Sequence, residues 1–343
     1  MVNHSAPDVV VIGHAPGPEL HVLPVGATVQ RLLVTGGDGV RRDVVLGLAD
    51  GDAVRASTDY VGSIVGRYAN RIAHGRFTLD GVEHEVPAND RGHHLHGGPE
   101  GFHTRTWDVV EKSADEVTLE LVSPDGDAGY PGELTVRAAY RVEGDVVRLD
   151  ITATTTAPTI VNLTSHAYFN LHGSGTIDDH LLQVDAARYT PVGADSIPTG
   201  GHAAVDGTPF DLRRPTRLGD PVRADHPEVR DARGIDHNLV LDGSGWRPVA
   251  VLDGPATRTR LELWSDQPGL QVYTGNFLAG TSLDRTGRML RQGDGLCLEP
   301  QLAPDTPNRE PADGTADPDW PSAVLRPGQT YRNRMAWLFS SLA

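Results

Sequence analysis

Thirty-nine glycines and 25 prolines interrupt this 343-residue chain at short intervals, and between the interruptions the apolar residues alternate. Glycine weakens a helix through backbone entropy and proline through its missing N–H, so long helices have little room here. Alternation instead puts apolar side chains on one face of a pleated strand. Residues 76–86, RFTLDGVEHEV, set Asp80 and Gly81 between two alternating runs. A two-residue type I′ turn needs positive φ at both central positions, which makes this pair the strongest hairpin signal in the chain. VTLELV (117–122), LTVRAAYRV (134–142) and VVRLDITATT (146–155) follow at short spacing and read as an antiparallel meander. The same grammar returns at 180–186, 237–242, 260–265, 270–275 and 295–301, and in a strand-like tail at 330–342. The best helical candidate, 220–234, is short and is expected to be broken by Pro227. Many strands without intervening helices predict an all-β fold, a large antiparallel β-sandwich with few short helices, rather than a parallel α/β architecture.

No fixed-period repeat and no low-complexity linker divides the chain, so residues 1–343 read as a single domain, long but within reach of a β-sandwich. The Pro- and Asp-rich stretch 303–322 reads as a long surface loop that returns to the sheet. Forty-six acidic residues against 30 basic ones leave a formal net charge of -16, which disfavours a nucleic-acid partner. Lys112 is the sole lysine, and the arginine bias carries no functional weight. One cysteine, Cys297, excludes an intramolecular disulfide framework and agrees with a reducing compartment; between Leu296 and Leu298 it reads as buried and inert. The apolar run Val9 to Ile12 is too short for a signal core, and no stretch nears the ~20 apolar residues of a membrane span. The expectation is a soluble, cytoplasmic protein with no membrane association.

The informative positions are costly polar side chains inside core-like runs. HHLHGG (93–98) brings three imidazoles together; were it extended, His94 and His96 would share a face and His93 the other. A metal there needs a third ligand, with Asp90, Glu100 and His103 nearby, and the alternatives are hydrogen bonding to a polar ligand or a solvated loop. GRYANRIAHG (66–75) sets Asn70 and Arg71 among small and apolar residues, where they read as a turn former and an edge charge or as ligand contacts. VNLTSHAYFNL (161–171) puts His166 amid Tyr168 and Phe169, either as a satisfied structural histidine or as an acid. GIDHN (234–238) opens a strand with Asp236, a cap or a ligand acceptor. GLCLEPQ (295–301) inserts Glu299 into an apolar alternation, where an ionised carboxylate wants partners. Such a set suits a neutral polyhydroxylated ring, with acceptors and charged donors for its hydroxyls, and it suits proton transfer. No phosphate loop, nucleophile elbow or H-E-x-x-H helix is present.

These stretches, together with PVGADSIPTG, FDLR, GLQVYTGNFL and LEPQLAPDTPN in the same order, resemble the aldose 1-epimerase, or galactose mutarotase, family over nearly the whole chain. The resemblance implies a large β-sandwich of the galactose mutarotase-like type that interconverts the α and β anomers of free aldohexoses without cofactor or metal. It places the catalytic base on Glu299 and the catalytic acid on His166, and sugar contacts on Asn70, Arg71, His96, Asp236 and Gln271. Tyr168 is expected to line the same pocket, with Phe277 a further candidate for packing on the ring. His93 and His94 then revert to non-functional positions. Ser165 and Pro300 depart from the family's common Asn and Thr and bear on positioning or sugar preference. Such chemistry expects an ionised Glu299 and a protonated His166 at rest. A monosaccharide is the expected partner, to a monomer or a homodimer. Rival readings are a glycosidase using Asp236 and Glu299, a non-catalytic sugar-binding protein, and an epimerase of hexose 6-phosphates.

Overall fold

In the computed structural model, residues 9–309 and 320–342 are described. The alternating runs fold as strands close to the expected bounds: Glu116–Ser123, Leu134–Glu143, Val146–Thr155, Thr259–Ser265, Gly269–Tyr273, Leu296–Gln301 and Tyr331–Ser341. The hairpin at Asp80-Gly81 forms between Arg76–Leu79 and Val82–Glu85, with φ of 50° and 79° at its two turn residues. All of these pairings are antiparallel.

A nine-stranded sheet runs, in spatial order, through Asp108–Lys112, Glu116–Ser123, Leu134–Glu143, Val146–Thr155, Tyr331–Ser341, Thr259–Ser265, Arg247–Gly254, Leu181–Val184 and Thr216–Arg217. A six-stranded sheet orders Tyr168–Phe169, Leu296–Gln301, Gly269–Tyr273, Asp236–Val240, Arg188–Tyr189 and Ala203–Ala204. One apolar core lies between them: Leu149, Leu261, Leu263 and Trp337 from the larger sheet meet Phe169, Leu239, Leu270, Val272 and Leu298 from the smaller. The ring of Phe169 meets Trp337 edge-on at 5.4 Å across the two sheets. A four-stranded sheet built from residues 10–43 adds to the same core through Ile12, Leu20, Val22 and Leu32. Burying apolar area at about 25 cal/mol per Å² makes this layer the main source of stability.

One expectation needs correcting. Pro227 does not break a helix but starts one, Pro227–Ala232, because the first helical position has no N–H partner to lose. A second short helix, Gly51–Ala56, is capped by Asp50, whose carboxylate accepts from the Ala53 N–H at 2.9 Å. Of the 303–322 loop, residues 310–319 lie outside the described residues; before them Thr306–Asn308 forms a 3₁₀ turn. No helix among the described residues is long and apolar enough to cross a membrane.

Candidate active site

Strand register assembles one wall of a cavity. Residues two apart on a strand share a face, so Leu298 and Val272 point into the core while Glu299, Gln271 and Tyr273 point away from it. Asn238 stands opposite Gln271, and Gln271 opposite Glu299. Two residues along, Asp236, Tyr273, Cys297 and Tyr168 form the next row across four strands. Gln271 Nε2 donates to Asp236 Oδ1 at 2.7 Å, which turns that carboxylate into the cavity.

Loops supply the opposite wall. Asn70 takes positive φ (65°) and His96 likewise (51°), so the chain bends sharply at both. Each meets the other twice: the His96 N–H donates to the Asn70 carbonyl at 3.2 Å, and the Asn70 N–H to His96 Nδ1 at 3.1 Å. Arg71 is not a solvated edge charge. Its side chain is 8 % exposed, and its Nε donates to Asp90 Oδ2 at 2.8 Å. The cavity, about 350 Å³ and open to solvent on one side, is lined by all eight residues expected to act, namely Asn70, Arg71, His96, His166, Tyr168, Asp236, Gln271 and Glu299. Phe277 lies at its edge, 40 % exposed, its ring stacked 6.4 Å from Tyr273.

The three imidazoles of HHLHGG separate into distinct roles. Only His94–Leu95 is extended, so the supposed shared face of His94 and His96 does not exist. His94 is fully buried, its Nδ1 2.7 Å from the Pro87 carbonyl and its Nε2 2.6 Å from the Tyr130 hydroxyl. His93 accepts the His74 N–H on Nδ1 and faces Asp195 with Nε2 at 3.5 Å. Neither decorates a solvated loop; both are internal struts. His96, His166 and Glu299 bring ligand atoms within 4.8 Å of one another, a spacing that a metal could bridge. The donor set argues otherwise, because a backbone N–H already occupies His96 Nδ1 and places the ring proton on Nε2. That nitrogen is a donor, suited to an oxygen lone pair rather than to a cation.

At the centre, His166 Nε2 lies 3.8 Å from Glu299 Oε1, with the two residues 4 % and 2 % exposed. Burial, then the negative charge of Asp236, pushes the Glu299 carboxyl well above the usual range. Burial pulls His166 down to about 4 and His96 well below its ordinary value. The expected resting ion pair is therefore corrected: desolvation favours a neutral pair with the shared proton on Glu299. Its Oε2 has no hydrogen-bond partner among the described residues to offset the loss of water.

The sequence reasoning missed several lining residues. Asp90 orients Arg71. Tyr60, at φ 55°, packs edge-on against His96 at 4.7 Å and His103 at 4.6 Å. Burial raises the Tyr60 hydroxyl to about 12, so it stays a donor. Tyr273 stands two residues beyond Gln271, and that i, i+2 spacing was the available signal. Asp59 and Tyr60 carried no periodic signal, since they enter from a turn.

Comparison with known proteins agrees with this site. Residues 8–337 match the family model described as aldose 1-epimerase. Over 325 residues, 94% of this chain and 91% of the relative, the chain is 40% identical to galactose mutarotase of Rattus norvegicus. It is 36% identical to aldose 1-epimerase of Escherichia coli, over 92% of this chain and 90% of that one. Among solved structures, an aldose epimerase homologue from C. elegans superposes with a TM-score of 0.89 at 27% identity, covering 98% of this chain and 99% of its own. Galactose 1-epimerase from Lactobacillus acidophilus gives 0.83 at 29% identity, covering 98% and 95%. The fold is thus the galactose mutarotase-like β-sandwich, and the chain belongs to the aldose 1-epimerase family, an enzyme that epimerises carbohydrates.

Proposed function

We propose that this chain interconverts the α and β anomers of free aldohexoses such as galactose and glucose, with Glu299 and His166 moving the two protons. The observation that carries the reading is the 3.8 Å approach of two buried, oppositely suited groups at the floor of a cavity edged by donors and acceptors. A hemiacetal carbon bears both of its oxygens, the ring oxygen and the C1 hydroxyl, within reach of such a pair. The proton held on Glu299 at rest first passes to His166, 3.8 Å away; Glu299 as carboxylate then takes the proton of the C1 hydroxyl while His166 as imidazolium protonates the ring oxygen, and the C1–O5 bond breaks. The product is the open-chain aldehyde with both side chains neutral, the state that burial favours. Rotation about C1–C2 presents the other carbonyl face. Glu299 then returns its proton to the carbonyl oxygen, His166 takes the O5 proton, and the ring closes as the other anomer.

The remaining side chains hold the sugar. His96 donates from Nε2, Arg71 from the guanidinium edge left by Asp90, and Asn70 from its amide, while Asp236 and Gln271 accept and Tyr168 and Phe277 supply apolar edges. This reading routes no step through a cofactor or metal. All eight side chains come from one chain, which supports activity as a monomer or as each half of a homodimer. The reading also takes the family match over 8–337 as one domain, and the reducing-compartment chemistry of a lone cysteine as cytoplasmic.

The test is polarimetry on freshly dissolved α-D-glucose and α-D-galactose, with methyl α-D-galactoside as a control for hydrolysis. Mutarotation faster than buffer, lost in Glu299→Gln and His166→Ala, is the expected result. Full activity in both variants removes the assignment of roles. Release of methanol from the glycoside would favour a hydrolase.

A further inference from the structure

The mechanism requires His166 to present Nε2, and not Nδ1, to the sugar, yet among the described residues no carboxylate is bonded to Nδ1 to hold the ring so. Its main chain is anchored, with the His166 N–H donating to the Ser63 carbonyl at 2.9 Å and the Gly62 N–H to the His166 carbonyl at 3.0 Å. Those bonds leave open the ring's turn about χ2, where a half-turn would carry Nδ1 to the place of Cδ2 and Nε2 to that of Cε1, and they leave open which nitrogen holds the proton of the neutral ring. The side-chain partner found for Nδ1 is Cys297, with Sγ at 3.4 Å. That cysteine is fully buried, on the same face of its strand as Glu299 and two residues before it, in register between Tyr168 and Tyr273.

We propose that Cys297 is the positioning residue for His166: its sulfur accepts the Nδ1–H and so leaves Nε2, on the Glu299 side, as the nitrogen that gives and takes the proton. This rests on the assignment of His166 as the acid. The Nδ1–H persists through the cycle, in the imidazolium and in the neutral ring alike, so one acceptor serves both half-reactions. The choice of a thiol has a consequence. A carboxylate behind a catalytic histidine stabilises the imidazolium as well as orienting it. Sulfur is a weak acceptor, and burial keeps Cys297 as the neutral thiol, so it orients the ring without weakening it as an acid. Cys297 is buried, as the sequence suggests, but in this reading it is not inert.

The experiment compares Cys297→Ala and Cys297→Ser with the parent by polarimetric kcat and KM for galactose, and by ¹⁵N spectra of histidine-labelled protein. The parent is expected to show His166 as the Nδ1–H tautomer. Cys297→Ala should lower kcat about tenfold with KM nearly unchanged, and mix the two tautomers; Cys297→Ser, whose oxygen also accepts, should restore both. The proposal is overturned if Cys297→Ala keeps the parental rate and tautomer, or if both variants lose rate equally with the tautomer unmoved. A fully active His166→Ala would instead overturn the assignment of His166 as the acid beneath it, while the tautomer spectra of the parent and the Cys297 variants still judge the Cys297 contact.

Discussion

Burial of Glu299 and His166 makes opposite demands on stability, and the two can be separated by pH. Glu299 is 2 % exposed, and its carboxyl is raised well above the ordinary 4.5. Above pH 4.5 the unfolded chain has released this proton while the folded protein still holds it, so the folded state binds more protons and stability falls as pH rises. The slope is about 1.4 kcal/mol for each pH unit over which the folded carboxyl stays protonated. His166 runs the other way. Its value drops from 6.5 to about 4, so between these limits the unfolded chain holds a proton that the folded protein lacks, and stability rises with pH. Across that window of about 2.5 units the gain totals about 3 kcal/mol. In the parent the two slopes oppose one another between about pH 4.5 and 6.5 and largely cancel. Glu299→Gln keeps size and neutrality but does not titrate, so relative to the parent it should gain about 1.4 kcal/mol per pH unit as pH rises from 4.5. His166→Asn should show the reverse: about 3 kcal/mol more stable than otherwise expected near pH 4, with the advantage gone by pH 6.5. Urea unfolding followed by tryptophan fluorescence measures both, because every other titrating group cancels in the difference between variant and parent. A flat Glu299→Gln difference between about pH 4.5 and 6.5 would refute the claim that desolvation outweighs the attraction of the pair.

Two further outcomes follow from the lining. Asp90→Asn leaves the Arg71 guanidinium without its ionic partner at 2.8 Å; KM for galactose should rise about tenfold with kcat changed far less, checked by initial-rate polarimetry, and an unchanged KM would show that Asp90 does not orient Arg71. The cavity carries Asp59, Asp90, Asp236 and Glu299 against Arg71 and Arg91, both of which bond to Asp90. With both guanidiniums held by Asp90 and three further acidic side chains lining the cavity, kcat/KM for glucose 6-phosphate should fall at least about 100-fold below that for glucose, and comparable values would restore the sugar-phosphate reading.

Much of this protein is legible in the chain itself. Strand formation depends on a period of two residues and turn formation on local φ preferences, so the meander at 116–155 and the Asp80-Gly81 hairpin are present in the pattern of neighbours. Asn70, Arg71, His96, His166, Asp236 and Glu299 were visible as polar intrusions into apolar runs, while Tyr168 and Gln271 came only from the family resemblance. Distance-dependent facts were not visible. Glu299 meets Gln271 and His166 only through the pairing of strands remote in sequence, and Asp90 gains its role only because Arg71 lies against it. HHLHGG shows the division most clearly. Its three histidines look equivalent along the chain, but positive φ at His96 turns that ring toward the cavity while Pro87, Tyr130, His74 and Asp195 absorb the other two. Protonation belongs to the tertiary structure for the same reason. A charge is disfavoured by the water it loses, and how much water Glu299 and His166 lose is settled only when both walls of the cavity close around them.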